Sequence, residues 1–290
     1  MFKIIADGAC DFTEELASKN NVHIVPFYVT FDGTTFLKEG VDISNDDYFA
    51  RLVSDKGTFP KSSQPSPEDY ISACTPYLEE GSDILIVTIS SKLSGSNQSA
   101  SIAKAELIKQ YPERKILIVD SMSATAGQAL ILHEIIMLRD KGISIEEAHS
   151  YGSEASKDVK IYFTLETLEY LQRGGRVGKA SALIGGMLNL KPVLTIANGE
   201  ANGIAKVRGK KKAMLEILDF FEKDIKGRED TLRYGIIHIR NLEEGKEFQK
   251  DIESKMGLEF LHEPVGIGAT IGTHVGPGGV GLAFVPKYKG

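Results

Sequence analysis

Four short apolar runs punctuate the first 120 residues: KIIAD (3–7), VHIVPFYV (22–29), DILIVTI (83–89) and KILIVD (115–120). Most of their positions are apolar without alternation, so each reads as a strand covered on both faces. Helical patterns lie between them. DFTEELASKN begins with an acidic first turn, and SPEDYISACTPYLEEG has Ser66 as cap, Pro67 in its first turn and Gly81 as stop. SATAGQALILHEIIMLRDKG is a long apolar-faced helix ended by Arg139, Lys141 and Gly142. Strands alternating with helices imply a parallel sheet wrapped on both sides. Ligands of such sheets sit beyond the carboxyl ends of the strands. The serine-rich stretch ISSKLSGSNQSAS (89–101) falls there.

The pattern changes after Lys157. KIYFT (160–164), KPVLTIA (191–197), GIAKVR (203–208), RYGIIHI (233–239), LEFLHE (258–263) and GVGLAFVP (279–286) read as strands. ANGEANG between two of them is a turn, which makes part of this sheet antiparallel. RGKKKAMLEILDFFEKDI and LEEGKEFQKDIESKMG are helices that pack on it. The expected fold class is α/β with two domains: an α/β/α parallel-sheet domain over 1–157 and a two-layer domain with a mixed sheet over 158–290. A chain of 290 residues accommodates two such cores.

A net charge of −6 argues against a general nucleic-acid binder. Cys10 and Cys74 are the only cysteines and lie far apart, so neither a disulfide framework nor a CxxC metal site is encoded. No apolar run approaches the ~18 residues of a membrane span. MFKIIADGAC superficially resembles a lipoprotein cleavage site, but it lacks a basic leader and Asp7 interrupts its apolar stretch. The expected location is cytoplasmic, without stable membrane insertion.

The serines of 89–101 have three readings: nucleophile, helix cap, or anion cradle. The nucleophile elbow GxSxG is absent, although a triad is recognised by geometry rather than order. Ser94 or Ser96 is expected to cap the helix NQSASIAKAELIKQY. A helix N-terminus with free N–H groups, a glycine and several hydroxyls also makes an anion site, so the stretch reads as a cradle. KSSQPSPED (61–69) is a second hydroxyl-rich turn before a helix. GIGATIG has the spacing GxGxxxG, not a dinucleotide fingerprint, and no cofactor is assigned to it. Its glycines imply tight turns around His274, expected in a loop too short to bury it as core. In TLEYLQRGGRVGKASALIGGMLNLKP (167–192), Arg173, Arg176 and Lys179 surround two glycines. The apolar part that follows reads as a core helix whose Ala182, Gly185 and Gly186 leave room for a slender apolar ligand. KVRGKKK (206–212) is a second basic cluster, able to steer an acidic or phosphate-bearing partner.

Taken together, DGACDFT, VPFYVTFDG, KSSQPSPED, ISSKLSGSNQSA, VDSMSATAGQ, LEYLQRGGRVGKASALIGG and THVGPGGVGLAF resemble the DegV family, the FakB-type fatty-acid-binding subunits. These pieces run in the family's order from residue 7 to residue 284. The resemblance implies a two-domain α/β protein that encloses one long-chain fatty acid between its domains. It implies presentation of the carboxylate to a separate ATP-dependent fatty acid kinase, giving an acyl-phosphate for phospholipid synthesis, with no catalysis by this chain alone. Carried over, Ser94 and the backbone at Gly95 hold the carboxylate, with Ser62 and His274 nearby. Ser62 stands where the family usually has Thr, and Ser63 is the alternative hydroxyl. Gly8 stands where a hydroxyl residue is common. Ala182, Leu183, Gly186 and Met187 are the expected acyl-chain pocket, and Arg173, Arg176 and Arg208 the outward-facing kinase-docking charges. Two rival readings remain beside it: a serine-dependent acyl hydrolase, and a module for a small anionic metabolite.

Overall fold

A computed structural model describes residues 2–55, 57, 59–183 and 190–289. Strand β1 (Lys3–Asp7) leads to helix α1 (Glu14–Lys19), whose first turn is capped by Thr13 Oγ1 accepting from Leu16 N–H. The run 22–29, expected as one strand, is two. Strand β2 (Val22–Val25) pairs parallel with β1, whereas β3 (Tyr28–Thr30) joins β4 (Leu37–Lys38) and β5 (Lys61–Ser63) in a separate antiparallel sheet. The break falls at Pro26, which has no N–H to give a ladder. Helix α2 (Asn45–Ser54) lies between β4 and β5. Helix α3 (Pro67–Glu79) starts with a complete capping box between Ser66 and Asp69. Strand β6 (Ile84–Thr88), helix α4 (Ser96–Gln110) and strand β7 (Ile116–Asp120) follow. The parallel sheet runs β2-β1-β6-β7. Ile4, Ile5, Ile84, Leu85 and Ile86 are wholly buried in it, as unalternating strands require.

Helices α5 (Thr125–Asp140) and α6 (Ile145–Ala155) lead to strand β8 (Lys160–Leu165). After the short helix α7 (Glu169–Arg173) and a 3-10 turn over Gly178–Leu183 come β9 (Leu190–Ala197) and β10 (Glu200–Arg208). Their hairpin turns at Asn198-Gly199 with φ of 54° and 84°, the left-handed pair that a tight two-residue turn demands. Helix α8 (Lys210–Ile225), strand β11 (Leu232–His238), helix α9 (Leu242–Met256), strand β12 (Val265–Gly266), helix α10 (Ala269–Val275) and strand β13 (Gly279–Pro286) complete the chain. The second sheet runs β10-β9-β8-β13-β11-β12 and is mixed, because only β12 lies parallel to its neighbour. The fold is thus α/β, with a parallel sheet, a mixed sheet and the small antiparallel sheet β4-β3-β5.

LEFLHE is not a strand. Leu258 and Phe260 turn into the cluster formed with Phe248 and Ile252 of α9, and pairing with β11 begins only at Val265. The apolar side chains serve the helix layer, and Pro264 has no amide N–H to extend the ladder. Helix α5 packs between the two sheets. Its Ile131 and Ile135 share a core with Val87 and Val119 on one side and Ile161 and Ala283 on the other. The opposite face of the mixed sheet is covered by α8 and α9 through Ile217, Phe221 and Phe248.

Candidate ligand-binding site

Asp7 ends β1 with no solvent exposure. Its carboxylate accepts from Ser96 Oγ at 2.7 Å, Ile89 N–H at 2.9 Å and Gln128 Nε2 at 2.9 Å. Burial raises its pKa and these donors pull against that rise. Asp7 therefore ties β1 to the serine loop after β6 and to the first turn of α5. Tyr70 Oη meets the same Ser96 hydroxyl at 2.7 Å. Ser90 Oγ donates to Gly199 O at 2.7 Å, pinning the loop to the β9–β10 hairpin.

Ser94 sits in the turn that this scaffold holds. Its N–H donates to Ser90 O, and its Oγ accepts from Ser96 N–H at 3.2 Å. The cap residue of α4 is Gly95, which offers no side chain. Helix capping by a serine is thus realised only through Ser94, one place ahead of the cap. A Cβ at Gly95 would collide with the Gln64 side chain, so glycine lets the turn after β5 close onto the start of α4.

Beyond these loops lies a cavity of ≈ 400 Å³. Its polar lining includes Ser62, Ser63, Gln64, Ser94, Arg176 and His274, with Thr125, Thr164 and Thr270 besides. Ser62 Oγ and His274 Nε2 are 2.8 Å apart, and Arg176 Nε donates to Leu93 O at 3.1 Å, beside Ser94. The remaining wall is largely apolar, with Ile89 and Phe27 from the first half and Phe163, Ile196, Ile237 and Ile271 from the second. Size and lining are those of a small-molecule site, apolar with a few convergent polar groups.

His274 lies in the last turn of α10, not in a loop, and is partly buried. Burial and the neighbouring Arg176 charge push its pKa down to about 4, so the imidazole is neutral at neutral pH. Its Nδ1 is buried without a partner and abuts Gly174, where a Cβ would collide with it. A serine nucleophile needs a base oriented by a third group and tuned near working pH. Among the described residues no third group hydrogen-bonds the ring, and the imidazole is neutral at neutral pH, so the Ser62–His274 contact stands as a hydrogen bond in the cavity lining.

Ser62, Ser94 and His274 all line the cavity, whereas Gly95 does not line it and packs against Gln64. Arg176, expected to face outward, is exposed and also lines the cavity. Arg173 is exposed, pairs with Glu169 and stacks 3.7 Å over the Phe59 ring, while Arg208 is exposed at the end of β10. Ala182 is exposed and is not among the cavity-lining residues; Leu183 packs against Gly203 instead. Gly186 and Met187 lie outside the described residues, as does most of the helix expected after Leu183. Sequence reading missed Asp7 as the brace, Gln64 as a neighbour of the cradle, and the sheet residues of the apolar wall. Only Asp7 carried a signal, a carboxylate ending an otherwise apolar strand. Among the described residues no group of three or more His, Cys, Asp or Glu could hold a metal ion, and no helix is long and apolar enough to cross a membrane.

A family model described as "Uncharacterised protein, DegV family" matches residues 1–287. The chain belongs to the DegV family. A DegV domain-containing protein of Clostridium acetobutylicum is 34% identical over 289 residues, covering 97% of this chain and 96% of that one. A stearic acid-binding protein from Eubacterium ventriosum has a structure similar to this DegV chain, with a TM-score of 0.95, 34% identity and 99% of both chains covered. A DegV family protein from Thermus thermophilus, described by its fatty acid binding, gives a TM-score of 0.88 at 32% identity, over 98% of this chain and 99% of its own.

Proposed function

We propose that this DegV protein binds one long-chain fatty acid in the cavity, with the carboxylate held by Ser62, Ser94 and His274. The observation that carries the reading is a largely apolar cavity whose lining includes Ser94, Arg176 and the hydrogen-bonded pair Ser62–His274. Burying a long acyl chain at ~0.8 kcal/mol per methylene supplies on the order of 10 kcal/mol before the costs of association. The polar groups then have only to fix the headgroup. Hydroxyls and a neutral imidazole do so while leaving a carboxylate oxygen free to react. Arg176 in the lining adds a favourable charge. Fatty acid binding by the Eubacterium and Thermus proteins supports the same assignment here.

The bound acid is presented to a separate ATP-dependent fatty acid kinase, the acyl-phosphate then entering phospholipid synthesis in the cytoplasm; the chain is not catalytic alone. Exposed Arg173 and Arg208 are the docking charges of this proposal. Division at 157/158 puts the ligand between two domains, which accords with Ser62 and Ser94 facing Phe163, Ile237 and His274 across one cavity. A small anionic metabolite would leave the apolar wall unused, and a hydrolase's base would lack, among the described residues, a third group to orient it. Organic extraction of purified protein followed by mass spectrometry tests the reading. About one fatty acid per chain is expected; no acyl species, together with no binding of added palmitate or oleate, would sink it.

A further inference from the structure

Helix α10 contributes Thr270, Ile271, His274 and Val275 to the cavity wall. Seven residues are too few to hold a helix unaided, and its cap residue Gly268 has no side chain to help. Its first N–H groups are taken instead by side chains from the opposite end of the chain. Gly268 N–H donates to Asp11 Oδ1 at 2.9 Å, Ala269 N–H to Asn45 Oδ1 at 2.9 Å, and Thr270 N–H to Glu39 Oε2 at 3.2 Å. On the same helix Thr273 Oγ1 meets Tyr48 Oη at 2.7 Å. The placement of His274 opposite Ser62 depends on these tethers.

Two of the acceptors are carboxyl groups closing on one Cα. A Cβ on Gly268 would overlap Glu39 Oε1 and would lie 3.2 Å from Asp11 Oδ1. Asp11 is 8% exposed, and its Oδ2 is buried without a partner. The groups facing Asp11 are Glu39, Asp7 at the end of β1, Thr125 of α5 and the Gly268 N–H; Glu39 faces Thr270 and Ala269, with the Tyr48 phenol of α2 nearby. None of these is basic. Burial first, then the charge of Glu39, holds Asp11 well above the usual carboxylate range, and burial raises Glu39 as well. Two carboxyls so placed without a counter-charge do not both ionise.

We propose that Asp11 and Glu39 hold one proton between them, and that this neutralised pair positions α10, and with it His274, against the cavity. The unpartnered Asp11 Oδ2 is the oxygen suited to carry the proton, leaving Oδ1 to accept from Gly268. Both residues stand outside the cavity lining, so they are positioning residues, and the proposal goes beyond the fatty-acid reading without needing it. The docked state binds a proton that the lifted state, with both carboxyls in water, releases. Rising pH therefore favours lifting, up to tenfold in the opening equilibrium per pH unit, until the docked pair itself ionises.

Hydrogen exchange of the α10 amides in the full-length protein, corrected for intrinsic exchange rates between pH 6 and 9, reads this equilibrium without any ligand. In wild type the opening equilibrium should climb several-fold to tenfold per pH unit. Asp11→Asn mimics the protonated carboxyl permanently, so its α10 amides should stay protected and lose that slope. Glu39→Gln removes the neighbouring charge but not the burial of Asp11, so its slope should persist at the low end and level off at a lower pH than in wild type, which keeps the test alive if the first variant folds poorly. A flat wild-type profile, a slope that persists in folded Asp11→Asn, or a Glu39→Gln profile that superimposes on wild type would overturn the proposal. So would a folded Asp11→Asn protein whose α10 amides are unprotected at every pH, since that would require an ionised Asp11.

Discussion

The serine loop between β6 and α4 and the apolar wall on the mixed sheet meet in one cavity but are built in opposite ways. The loop is held by particular hydrogen bonds, Asp7 to Ile89, Ser96 and Gln128, and Ser94 to Ser96, and Ser62 of β5 meets His274 of α10 in the same cavity lining. The wall is a sheet face, where Phe163, Ile196 and Ile237 look like any residues of a core. Polar geometry is therefore held by few atoms, each costly to remove, whereas the wall is held by shape and its residues act through volume. Substitutions in the two should separate accordingly.

The largest effect is expected at the wall. Ala201→Phe would put a ring into the cavity, displacing three or four methylenes at ~0.8 kcal/mol each, about 100-fold in affinity for an 18-carbon acid. A 10-carbon acid should be nearly unaffected, as titration with both would reveal. Next comes the brace. Asp7→Ala leaves buried donors unsatisfied and should lower unfolding stability by ~3 kcal/mol, measurable by urea denaturation, while Ser91→Ala on the exposed side of the same loop should change it by less than ~0.5 kcal/mol. If both were neutral, the loop would not be hydrogen-bond controlled.

The cradle itself should respond by ~1–3 kcal/mol of oleate affinity on Ser62→Ala or Ser94→Ala, the cost of leaving a charged acceptor one hydrogen bond short. Ser62→Thr should restore binding. His274 adds a pH signature. Because its folded pKa is lowered to about 4, the unfolded chain binds the proton first, so stability is lost as pH falls from ~6.5 toward 4, by at most ~1.4 kcal/mol per unit. His274→Gln should flatten that part of the profile. The smallest effect belongs to the surface: Arg208→Ala should leave oleate affinity within about twofold, and alter the salt dependence of kinase stimulation instead.

The same contrast decides what could be read from the sequence. Buried parallel strands announce themselves by unbroken apolar runs, and Ser66, Thr13 and Gly257 end or start helices as their chemistry dictates. Ser62, Ser94 and His274 were legible as a group only through the family resemblance, because 212 residues separate Ser62 from its imidazole partner. Periodicity failed where one apolar run served two sheets, at Pro26, and where glycine-dense chain from 266 to 281 proved able to form α10 once distant side chains capped it. It failed most fully at the wall. Of the small-residue stretch read as room for an acyl chain, Ala182 does not line the cavity and Gly185 and Gly186 lie outside the described residues, while the strand residues that do line it carry no mark of facing a cavity rather than a core.

Carbon-13 NMR of the protein loaded with oleate labelled at its carboxyl carbon tests the central claim most directly. One bound carboxyl resonance is predicted, distinct from free oleate, shifting in Ser62→Ala and His274→Ala and unmoved in Arg208→Ala. A bound resonance that neither cradle substitution moves would contradict the account, because the carboxylate would then lie somewhere other than beside Ser62 and His274.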